Sequence, residues 1–96
     1  MLTIEHVGPG EVLLQGRLDA AQAAAAQAFL DGVNGQVQLN CQALEYISSA
    51  GLGVLLKTQK RLRPAGGGLR LTGVPRHIRD IFGYAGFDKI FEIAAD

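Results

Sequence analysis

The 96-residue sequence predicts a single α/β domain over residues 1–96, with a mixed sheet of about five strands flanked by three helices. Two observations carry this. Short runs of alternating or β-rich residues take turns with longer runs spaced for a helix face, and glycine- or proline-bearing clusters punctuate nearly every junction. The resulting order, strand, strand, helix, strand, helix, strand, helix, strand, favours crossover helices on a sheet over a sandwich or a bundle.

The elements follow in chain order. "MLTIEHV" and "VLLQGRL" read as strands joined at "GPGE" in a hairpin. Asp19 stands before "AAQAAAAQAFLDG", whose alanine density gives strong helix propensity; Asp19 is expected to cap free amides and Gly32 to close the far end. "QVQLN" alternates, with Val37 and Leu39 on one face, and reads as a short strand. "CQALEYI" leads without an assigned element to "AGLGVLLKTQKRLR", a helix with Leu52, Leu55, Leu56 and Leu62 on one side. Pro64 and Gly66 to Gly68 end it. "LRLTGV" is a strand, and Pro75 suits the first turn of a helix with Ile78, Ile81 and Phe82 as its buried stripe. "FDKIFEI" is expected as the last strand.

Apolar residues make up 48% of the chain and charged residues 19%, a composition that folds around a core and does not stay disordered. Nine basic and nine acidic side chains balance, so no overall field draws the chain to nucleic acid or an anionic membrane. The single Cys41 excludes an intrachain disulfide and fits a reducing compartment; it reads as a small apolar residue at a strand end. There is no secretory signal pattern and no apolar run of about 20 residues, so a cytoplasmic protein without membrane insertion is expected.

The stretch "YISSAGLGVLL" is the most informative. A serine at the mouth of the helix beginning near Ala50 can accept a hydrogen bond from a first-turn amide, a cap worth about 1 kcal/mol. Gly51 and Gly53 need another reason, since each costs about 1 kcal/mol against alanine in a helix. Bare backbone admits a close neighbour, either the sheet beneath or a partner above, and a helix amino end tolerates an anion.

On these residues the chain resembles the STAS domains, the anti-sigma-factor antagonists. "YISSAGLGVLL" is similar to their phosphoacceptor segment, "QGRLD" to the Gly-Glu-Leu-Asp after their second strand, "QVQLN" to their third strand and "VPRHIRDIFGYAGFDKIF" to their last helix and strand. The resemblance implies that Ser49 is the phosphorylated serine, with Ser48 as the lesser candidate, and that Asp19, Ser48, Ser49, Ala50, Gly51 and Gly53 form the partner surface. It departs from the family in two places. Ser48 stands where an aspartate usually precedes the acceptor, and the chain stops at Asp96 where many members continue into a final helix, which leaves an apolar patch open for self-association.

The implied function is partner switching. The unphosphorylated chain binds and sequesters an anti-sigma factor that is also a serine kinase, phosphorylation releases that kinase, and a serine phosphatase resets the system. ATP and magnesium belong to the kinase, and this chain has no cofactor. The resemblance leaves a second role open, an adaptor subunit of a stress-signalling or lipid-transport complex. Other functions find little footing. The serines lack a Gly-x-Ser-x-Gly elbow and nothing in the sequence aims His6 or His77 at them, so no enzyme is read. The cations Lys57, Lys60, Arg61, Arg63, Arg70, Arg76 and Arg79 read as a solvated face, not a nucleic-acid site. "GLG" and "GGG" fit no phosphate loop, and no metal-ligand spacing exists.

Overall fold

A computed structural model of the chain describes residues 1–94. Strands β1 (Leu2–Gly8) and β2 (Glu11–Leu18) form an antiparallel hairpin, and α1 (Ala23–Leu30) leads to β3 (Gln36–Asn40). Next come β4 (Leu44–Ile47), α2 (Ser49–Leu62), β5 (Gly68–Thr72), α3 (Arg76–Tyr84) and β6 (Glu92–Ile93), with 3-10 turns at Arg63–Ala65 and Phe87–Lys89. The sheet runs β1, β2, β3, β5, β6, and β4 also pairs with β2.

Six strands replace the expected five because "LEYI" is a strand. It escapes an alternation search because Leu44 and Ile47 are buried while Glu45 and Tyr46, side by side, are exposed. The pairing explains this pattern: β3 lies parallel to the first half of β2 and β4 to its second half, with a register shift at Gly16 and Arg17. Gly16 is required at that shift. Its φ is +94°, and a Cβ there would stand 2.2 Å from the Met1 carbonyl oxygen.

The last strand is also corrected. Only Glu92 and Ile93 pair with β5, while Phe87 to Lys89 coil so that Phe87 and Phe82 can both meet Phe91. Two boundaries shift as well: α1 begins at Ala23, after a turn in which Asp19 Oδ1 accepts from the Gln22 amide, and Pro75 precedes α3 in extended conformation instead of entering its first turn.

The three parallel crossovers step the same way across the sheet, so their right-handedness puts every helix on one face. Val12, Leu14, Leu18, Val37, Leu39, Leu69 and Leu71 point to that side and meet Ala26, Leu30, Leu52, Leu55, Ile78 and Phe82 in one core. Cys41 sits in it at the end of β3, and burial pushes its thiol up to about 12. The opposite face is open but mostly polar, with Gln15, Gln36 and Gln38 exposed and Arg70 paired with Glu92.

Candidate functional site

The site grows from the junction of β2, β4 and α2. Parallel pairing sets Arg17 beside Tyr46 and Leu18 beside Ile47, so both chains leave the sheet at the same level. The Ser48 amide then donates to the Leu18 carbonyl at 3.0 Å, which holds the helix mouth against the end of β2 and puts Asp19 next to the serines.

The two serines do different work. Ser48 is the cap: extended at φ −89° and ψ 173°, it accepts from the Gly51 amide at 3.1 Å and its hydroxyl donates to the Leu18 carbonyl at 3.4 Å. Both roles of that hydroxyl are spoken for. Ser49, the first residue of α2, is exposed, and its hydroxyl has no partner among the described residues.

The glycines divide in the same way. A Cβ on Gly51 would lie 2.6 Å from the Leu18 oxygen and 2.9 Å from Ile47 Cγ1, so this glycine lets α2 settle on the strand ends. Gly51 is buried, which corrects its place on the partner surface: it holds the helix down and is not available above it. Around Gly53 a Cβ would meet nothing within 4 Å, and the residue is exposed. Ala50 is exposed too. Ser49, Ala50 and Gly53 thus form a bare, low-relief patch, with half-buried Ser48 and Asp19 at its rim.

Two neighbours were missed by sequence reasoning. The Arg17 guanidinium lies 4.4 Å from the centre of the Tyr46 ring and its Nε is 3.9 Å from Asp19 Oδ2. Arg17 thereby ties Asp19 to Tyr46. The signal is the cross-strand register, which adjacency in sequence does not reveal. Neither histidine is bonded to a serine: His6 packs on Phe29, and His77 Nε2 lies 2.8 Å from the Glu45 carbonyl oxygen. A concavity of about 490 Å³ opens at the other end of the sheet, among Gln36, Gly67 and Lys89, and shares no residue with this site. Among the described residues there is no cluster of three or more potential metal ligands, and no helix is long and apolar enough to cross a membrane.

Comparison with known proteins agrees with this geometry. Residues 4–93 match the family model described as Mlab, STAS domain. A Bordetella bronchiseptica protein assigned as an anti-sigma factor antagonist, BtrV, is 40% identical over 85 residues, covering 84% of this chain and 73% of its own. The fold is similar to the crystal structure of an anti-sigma factor antagonist from Thermotoga maritima, with TM-score 0.82, 19% identity, and coverage of 99% of this chain and 86% of that one. It is also similar to the phosphorylated form of the Bacillus cell-fate determinant SpoIIAA, with TM-score 0.70, 20% identity, and coverage of 100% and 93%.

Proposed function

The chain belongs to the STAS domain family, here a non-enzymatic one, and from that premise we propose that it is an anti-sigma factor antagonist switched by phosphorylation of Ser49. In this reading the unmodified protein, in the cytoplasm, sequesters an anti-sigma factor that is itself a serine kinase. Phosphorylation frees that kinase to act on its sigma factor, and a phosphatase restores the serine. Transcription is regulated indirectly.

The observation that carries the proposal is the contrast between the serines. Ser48 is half-buried and its hydroxyl is engaged twice, whereas Ser49 offers an unengaged hydroxyl on an exposed patch. A phosphate on Ser49 adds about −1.5 to −2 charges at a helix amino end, where free amides and the dipole favour it. The fold therefore tolerates the modification, and the cost falls on the complex. Burying a poorly paired dianion costs about 3–4 kcal/mol, which weakens binding several hundredfold.

The test is phosphorylation by the purified cognate kinase with ATP and magnesium, and mapping by mass spectrometry. Wild type and Ser48→Ala should carry the label on Ser49, and Ser49→Ala should remain unlabelled. Equal labelling of Ser49→Ala would overturn the assignment. An adaptor role in a stress-signalling or transport complex predicts instead a stable assembly whose composition does not change when Ser49 becomes Asp.

A further inference from the structure

The net charge of zero hides a segregated distribution. From Tyr46 to Arg79 the sequence has seven lysines and arginines and no carboxylate, while residues 1–45 have five carboxylates and one cation, Arg17. Within α2 the cations divide by role. Arg61 donates to the carbonyls of Leu30 and Val33 and to the Asn34 side chain, fastening α2 to the end of α1. Lys57 and Lys60 are exposed and have no hydrogen bond or ion pair among the described residues.

Their place on the helix matters. At about 100° per residue, Ser49, Gly53, Leu56, Lys57 and Lys60 fall within an arc of about 100°, and Ser49 to Lys60 spans about 16 Å along the axis. Burial agrees, with Leu56 half-buried and the others exposed. The free hydroxyl and the two unpaired ammonium groups thus share one stripe.

We propose that this stripe is the second half of the docking surface and that it receives an acidic surface of the anti-sigma factor, an inference that rests on the reading of Ser49 given above. The halves do different things. The Ser49 and Gly53 end provides close contact, which sets how long the complex lasts; Lys57 and Lys60 provide long-range attraction, which sets how fast it forms. The lysines lie about 12 and 16 Å along the axis from Ser49, beyond the Debye length of about 8 Å at physiological salt, so they do not neutralise a phosphate there. An anionic membrane is the poorer fit, because such surfaces recruit clusters of about 4–8 basic residues.

Association and dissociation of the purified anti-sigma kinase from the same genome, followed by surface plasmon resonance across a salt series, test this. The Lys57→Glu/Lys60→Glu variant should associate about tenfold more slowly at low salt, lose most of its salt dependence and dissociate nearly as wild type does. Gly53→Glu should dissociate faster. If the kinase binds wild type and rejects Gly53→Glu, yet the double lysine variant keeps wild-type association and salt dependence, the stripe is not used and the switch reading stands. If the kinase does not bind wild type, both fall. Lysine-dependent binding to phosphatidylglycerol vesicles, with kinase association unchanged, would also overturn the proposal.

Discussion

The Ser48 hydroxyl accepts the Gly51 amide across the first turn of α2, so the residue that begins the helix and the residue that lets it touch the sheet are bonded to each other. Ser48→Ala should therefore lower stability by about 1 kcal/mol, whereas Ser48→Asp, which keeps the cap but cannot donate to the Leu18 carbonyl, should lose less. Ser49→Ala should stay within about 0.5 kcal/mol of wild type. Urea denaturation of the three variants checks this; a larger loss for Ser49→Ala than for Ser48→Ala would reverse the assignment of cap and free hydroxyl.

The two glycines of the same turn should respond oppositely to alanine. Helix propensity favours alanine by about 1 kcal/mol at both positions. At Gly51 the added methyl collides with Leu18 and Ile47, so Gly51→Ala should destabilise by about 1–3 kcal/mol, while Gly53→Ala should stabilise. Thermal melts that shift the same way for both would contradict the packing.

Gln59 is buried in α2 and bridges two other parts of the fold. Its Oε1 accepts from the Leu69 amide at 2.7 Å and its Nε2 donates to the Ile90 carbonyl at 2.9 Å. Gln59→Leu leaves the buried Leu69 amide without its partner and should cost about 1–3 kcal/mol, while the Ile90 carbonyl keeps the Arg63 guanidinium at 3.4 Å. Hydrogen exchange at the Leu69 amide should accelerate more than the global loss accounts for. Unchanged protection there would show that the bridge is dispensable.

Cys41 predicts a pH dependence. Its folded-state thiol is raised by burial from 9.0 to about 12, so between those values the unfolded chain loses a proton that the folded chain keeps. Stability should fall as pH rises from about 9 toward 12 in wild type, and Cys41→Ala should lack that component. At neutral pH the native thiol should resist alkylation and react only after denaturation. Native-state labelling at the unfolded rate would refute the burial.

Much of this was legible in the sequence. Alanine density announced α1, leucine spacing announced α2, and the serines with their glycines marked the mouth where the site lies. What was not legible depends on contacts between distant residues. β4 exists because β2 offers it a partner, and its burial pattern answers to a register shift at Gly16 that local alternation cannot encode. β6 shrank to two residues because Phe87 turns in to pack on Phe91, which in turn packs on Phe82. Sequence reasoning named two reasons for a bare backbone at Gly51 and Gly53, sheet beneath or partner above. The structure gives Gly51 the first, against Leu18 and Ile47, and leaves open space around the exposed Gly53.

The Leu18 carbonyl takes bonds from both the amide and the hydroxyl of Ser48, so the rim beside Ser49 is bolted to the end of β2. A phosphate added there has little slack to pull on. Under the proposed switch, the message would be written as texture and charge on a stationary plate, and a visitor would learn the state of the molecule by touch, without any change of shape to wait for.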